Sequence, residues 1–196
     1  CWDNMNLQEQ IAPKGLQFKS NSFVISDKYA TILTVISYPK YISPGFLSSL
    51  TSMSGIKIVI KHIPMPFSSI RKMLNKEIAS LKERYQQEKD RTLQERIRLD
   101  YETIEQFVSM LAASESKTFD FQMHIMITAN SEEELQNKKQ QLKNYLDAME
   151  IRAYPLRFEQ EQVFKSMLPL YGDQPIEKRI GTPIPSPTVA AMYPFI

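Results

Sequence analysis

Two apolar stripes of helical spacing, set between runs of strand periodicity, constrain this chain more than any other feature. Ile70, Leu74, Ile78, Leu81 and Tyr85 recur every three or four residues, and Leu93, Ile97, Tyr101, Ile104, Val108 and Leu111 repeat the pattern. Such spacing puts each set on one face of a helix. Polar residues around 86–92 lie between the stripes, with no Gly or Pro to break them. A single bent helix and an antiparallel helical hairpin both fit, and the hairpin over about 66–113 is the preferred reading.

On either side of this insertion the period is two. The run 18–25 predicts a short strand, with a turn at Asp27-Lys28. Thr31 to Tyr38 is β-branched and aromatic on both faces, which places it centrally in a sheet. Ser43 and Pro44 open a helix over 44–52 that stops near Gly55. In the next strand Ile56, Ile58 and Ile60 share a face opposite Lys57 and Lys61, and Pro64 breaks it. Phe119, Phe121, Met123, Ile125 and Ile127 alternate with Asp120, Gln122 and His124. Ser131 and Glu134 then stand at capping-box spacing and start a helix over 131–149. Ile151 to Pro155 reads as a closing strand and 158–167 as a final helix.

With the hairpin set aside, the order from residue 31 is β-α-β, β-α-β. That predicts an α+β fold: a ferredoxin-like split βαβ antiparallel sheet with an inserted helical hairpin and an extra N-terminal strand. Right-handed crossovers place both helices, 44–52 and 131–149, on one face, and the hairpin is expected to project from one end of the sheet. Residues 1–17 are polar and read as a flexible leader before an α+β domain over 18–170. Residues 171–196 read as an extended linker, since no charged residue follows Arg179 and five prolines fall between 175 and 194. Its apolar end at Met192, Tyr193 and Phe195 suits a strand leading into a neighbouring domain.

Composition narrows the functional classes. The net charge of +2 lacks the basic excess of a chain held mainly by phosphates. One cysteine excludes an internal disulfide, and two histidines with one cysteine are too few for a structural zinc site. None of the five glycines lies in a phosphate-binding loop, and no nucleophile elbow is present. His62 and His124 have no ligand-spaced carboxylates or thiols beside them, so a structural or surface role outweighs a catalytic one. Glu132, Glu133 and Glu134 are explained by the helix dipole. From Arg71 to Glu105 nine basic residues meet eight acidic ones, the pattern of a solvated arm laced with i,i+4 pairs, which is also a natural docking surface. Phe119 and Phe121 could stack on nucleic acid as in RNA-recognition sheets, but a helix-covered core face explains them better.

Four segments together resemble one family. They run from Ile25 to Val35, from Ser37 to Leu47 with its Tyr-Pro and Pro-Gly-Phe-Leu steps, from Arg157 to Leu170, and from Thr188 to Phe195. In this order they resemble the N-terminal domain of the VirB/TraC-type assembly ATPases of type IV secretion and conjugative transfer systems. The resemblance spans nearly everything from Ser22 onward. It implies a C-terminal RecA-like motor that would hold ATP and magnesium beyond this chain, so no catalytic, cofactor or metal residue is assigned here. It also implies a cytoplasmic position, peripheral at the inner face of the membrane. The expected function is non-catalytic docking and assembly, with contacts to channel subunits, to the chain's own ATPase domain and to other protomers. Arg157, Phe158, Phe164, Leu168, Met192, Tyr193 and Phe195 are the candidate partner-binding residues. The alternative is a single-stranded nucleic-acid-binding module of the DNA transfer machinery, although nucleic acid is disfavoured as a partner.

Overall fold

A computed structural model describes residues 15–39, 47–51, 53–113, 117–169, 171 and 174–192. In chain order the strands are β1 (Leu16–Phe18), β2 (Phe23–Ile25), β3 (Lys28–Ser37), β4 (Ile56–Met65), β5 (Thr118–Ala129), β6 (Arg152–Pro155) and β7 (Thr182–Pro185). The helices are α1 (Ser48–Thr51), α2 (Phe67–Gln87), α3 (Arg91–Ala113), α4 (Glu132–Ala148), α5 (Gln160–Ser166), α6 (Glu177–Ile180) and α7 (Ser186–Met192). The strands form one sheet in the order β1-β2-β3-β5-β4, with β6 also paired to β3 and β7 to β5. The order β6-β3-β5-β4 is compatible with the predicted split βαβ arrangement, and the fold is α+β with an antiparallel sheet.

The chain forms two compact units. One holds the sheet body to His62 and Phe121–Thr182, and the other holds Ile63–Asp120 with Pro183–Val189. In the first, β3 is central as expected. Its antiparallel partners are β5 on one side (Leu33 opposite Ile125) and, on the other, β2 at its start and β6 further along (Leu33 opposite Pro155). Residues 30–35 are buried on both faces. On one face Ala30, Ile32 and Met126 pack with Phe23, Val163 and Ile176. The alternate face, with Leu33, Val35, Ile125 and Ile127, is equally buried beneath α4, whose Leu135, Leu142 and Leu146 are covered.

Between the β2 and β6 pairings, the backbone of Ile32 would have no strand partner. Gln160, at the start of α5, supplies one. Its Oε1 accepts from the Ile32 N–H at 2.9 Å and its Nε2 donates to the Ile32 carbonyl at 3.1 Å. A buried side-chain amide thus substitutes for one residue of strand, satisfying two groups that are costly to bury unpaired.

The ends of α4 follow local rules. Ser131 Oγ accepts from the Glu134 N–H, and Glu134 reaches back to the Asn130 N–H. At the other end Glu150 adopts φ 58, while Ile151 N–H bonds Leu146 O and Glu150 N–H bonds Asp147 O. This is a Schellman closure built without glycine. Gly55, at φ +76, leads into β4 where an added Cβ would lie 2.8 Å from the Thr128 carbonyl.

Several expectations are corrected. The N-terminal strand is two strands, β1 and β2, so residues 16 and 17 belong to the sheet and not to a leader. The turn before β3 is Ser26-Asp27, with Ser26 at φ 56, because a two-residue hairpin favours positive φ at its first central position. β4 continues through Pro64 to Met65; it ends the sheet path, where a missing N–H removes no ladder bond. Only Ser48–Thr51 of the 44–52 helix falls among described residues as helix. Beyond the two helices expected on one face, 44–52 and 131–149, α5 and α6 bring Val163 and Ile176 against the face that carries Ala30 and Ile32. The stretch from 171, expected to be unpacked, carries α6, β7 and α7, with Ile176, Glu177, Ile184 and Val189 buried.

Replacing Gln160 with Leu keeps its bulk but leaves the Ile32 N–H and carbonyl without partners. We expect a loss of about 2–3 kcal/mol in urea-unfolding free energy with an unchanged slope, whereas Gln160→Glu, which can only accept when charged, costs more.

Candidate docking surfaces

The sequence proposed two contact regions, the hairpin and the stretch after β6. In the second, residues 157 and 158 form the turn between β6 and α5. Phe158 sits at φ 61 and its N–H bonds the Ser20 carbonyl at 2.7 Å. Left-handed backbone costs a bulky L-residue about 1–2 kcal/mol, so the surroundings fix this geometry. The ring is 83% exposed, the most exposed large apolar side chain among the described residues. Arg157 beside it is exposed too. Below the turn, Arg179 pairs with Glu159, linking α6 to the start of α5.

The other candidates divide. Phe164 is half-buried and packs against the core, its ring 5.3 Å from Phe23 and 6.1 Å from Phe18. Leu168 is half-buried. Met192 ends α7, and Tyr193 and Phe195 lie outside the described residues. Phe121 is buried with its ring 5.4 Å from Tyr38, and Phe119 is half-buried, so no pair of exposed stacking rings forms on β5.

The helical unit is a hairpin and not one bent helix. Glu88 turns extended (φ -75, ψ 132), and its carboxylate accepts from the N–H groups of Lys89 and Asp90. Asp90 then caps α3, accepting from Thr92 N–H at 2.7 Å and Leu93 N–H at 3.2 Å. Gln94 donates to the Glu88 carbonyl and closes the turn. The chain thus reverses over three residues without Gly or Pro, through side-chain capping. An Asp followed by an apolar-periodic run was the available signal for this boundary.

Ile70, Leu74 and Leu111 form the core at one end of the hairpin, with Ile104, Phe107 and Val108 against them. Toward the turn the two helices leave a groove of about 310 Å³ lined by Leu81, Lys82 and Tyr85 from α2 and by Ile97, Arg98 and Tyr101 from α3. Lys82 Nζ stands 5.3 Å from the centre of the Tyr101 ring, and the Tyr101 hydroxyl donates to Glu105. Arg98 bridges Glu95 and Glu102.

The face of β5 opposite Ile125 and Ile127 was expected to be polar. It is polar and also buried. His124 is fully covered, with its Nδ1 3.1 Å from the Thr34 hydroxyl. Glu177, 4% exposed, accepts from Lys61 Nζ at 2.6 Å, and its carbonyl accepts from Gln122 Nε2. These bonds tie α6 to β4 and β5. His62 is exposed on β4. No group of three or more His, Cys, Asp or Glu side chains among the described residues is placed to hold a metal ion.

Burial, and secondarily the charge on Lys61, pushes the His124 pKa down to about 4. A folded-state value below the unfolded 6.5 means that folding excludes a proton. The resulting stability is full above pH 6.5 and falls progressively toward pH 4. We expect unfolding free energy to drop by up to about 3 kcal/mol over that range beyond the loss seen in His124→Gln, as measured by urea titration at each pH.

No helix among the described residues is long and apolar enough to cross a membrane. No curated protein matches the chain. A family model does match, that of the CagE, TrbE, VirB family, component of type IV transporter system, and it covers residues 3–173. The match takes in the whole sheet body as far as α5, together with the helical hairpin. The chain therefore belongs to the CagE, TrbE, VirB family of type IV transporter components.

Proposed function

We propose that this chain is the non-catalytic docking and assembly domain of a type IV secretion ATPase serving conjugative transfer. On this reading it joins channel subunits to a motor domain and to other protomers. It works in the cytoplasm, peripherally at the inner face of the membrane. ATP and magnesium belong to the motor domain. Family membership supports the setting. The observation that carries the docking role is Phe158, a large apolar ring held out of the surface by a strained, hydrogen-bonded turn. Aromatic side chains, Phe among them, and Arg are enriched at protein interfaces relative to the rest of the surface.

The backbone strain at Phe158 separates docking from stability. Glycine adopts φ 61 freely, so Phe158→Gly leaves the fold as stable as before or about 1 kcal/mol more so. Removing an anchor weakens capture of the detergent-solubilised channel assembly of the same secretion system at least about tenfold. Unchanged capture by Phe158→Gly rejects this surface. The purified chain is expected to hydrolyse no ATP, and turnover that survives repurification rejects the non-catalytic reading.

A further inference from the structure

A sheet ends at a strand with a neighbour on one side only, and β4 is such an end. The strand order closes on it, and among the described residues no further strand lies beyond it. Just ahead of β4 the Thr128 N–H donates to the Gly55 carbonyl at 2.8 Å. Backbone groups along an antiparallel strand point alternately to its two sides. The N–H and C=O groups of Ile56, Ile58 and Ile60 therefore turn away from β5, toward an edge with no strand beyond it among the described residues. An edge of this kind is a template for one more strand.

Side chains select the strand that fits. None of the residues from Ile56 to His62 is fully buried. Ile56, Ile58 and Ile60 are half-buried along one face, a row of apolar flanks that a neighbouring strand would cover. Lys57 and Lys61 alternate onto the other face, where Lys61 and Gln122 both reach Glu177. The Glu177 carboxylate answers Lys61, whereas Lys57 is exposed and in no ion pair among the described residues. β4 contains no carboxylate, so a second copy of it would only add lysines to that face. An incoming segment that alternates apolar and acidic residues sets its apolar side chains beside the isoleucines and its carboxylates beside Lys57.

We propose that the outer edge of β4, from Ile56 to Ile60, receives an extended segment of a partner protein as an added strand, one that alternates apolar and acidic residues. This contact goes beyond the Phe158 surface and requires nothing of it.

Peptide binding to the purified chain tests it. The probe is a blocked peptide alternating valine and glutamate, matched to the 10 residues of β4, and the control alternates valine and lysine. Fluorescence anisotropy is expected to show the glutamate peptide bound at least about tenfold more tightly. Amide exchange followed by NMR is expected to slow at Ile58 and Ile60 as it binds. Lys57→Glu should reverse the preference between the two peptides with urea unfolding unchanged. Ile58→Pro removes an outward N–H and no bond to β5, so the folded variant should lose the peptide. A glutamate peptide that does not bind overturns the inference, as does a preference untouched by Lys57→Glu. So does a free chain whose Ile58 and Ile60 amides already exchange as slowly as those of β3, because another segment or a second copy then holds the edge. Any of these results, with capture through Phe158 intact, overturns this contact alone and leaves the docking reading standing.

Discussion

Strand β3 is covered on both faces and bonded along both edges, and the other parts of the sheet body take their positions from it. β5 pairs along one edge, β2 and β6 share the other, and the amide of Gln160 fills the gap at Ile32. That last contact reaches across 128 residues. It fixes where α5 begins and so where the turn carrying Phe158 emerges. A side chain doing the work of a strand has a strict geometry, because both of its hydrogen bonds must form together. The exposed ring at the surface is therefore positioned by a polar contact in the interior.

The interior of this sheet is less apolar than its pattern suggests. Thr34, Gln122, His124 and Glu177 are all nine-tenths buried or more, and Lys61 reaches in to meet the carboxylate. A buried ion pair contributes little net stability compared with well-packed apolar groups, but it tolerates few alternative arrangements. Here it selects where the short helix α6 rests. With only Ile176 and Ile180 as apolar holds, four helical residues would have little to define their register.

Much of this was legible in the sequence. The doubly apolar run of β3 announced a central strand, and the stripes of α2 and α3 announced paired helices, because both patterns reflect burial that the chain cannot avoid. Less legible was anything that depended on distant partners. Gln122 and His124 look solvent-facing when read along β5 alone, yet both are buried, and Gln122 bonds the Glu177 carbonyl of α6 more than fifty residues later. Ile176 and Ile180 stand isolated among prolines and charges, so the segment resembles a linker. In β7 the prolines 183 and 185 argue against a strand, yet it pairs with β5. At the candidate surface Phe158 was named from its neighbourhood, but nothing local distinguishes it from Phe164. One ring is out and the other in because the backbone turns left-handed at Phe158, a conformation that Phe does not advertise.

The hairpin also bears on how the chain finds its shape. β4 and β5 are neighbours in the sheet although more than fifty residues separate Met65 from Thr118. Left as random coil, that connection would have to be closed against its own entropy before any cross-strand bond could form. Helices assemble from near neighbours within microseconds and fold the intervening length back on itself, so the ends meet as though joined by a much shorter loop. A helical excursion of this length thus adds less closure entropy to the β4–β5 pairing than the same number of residues in random coil.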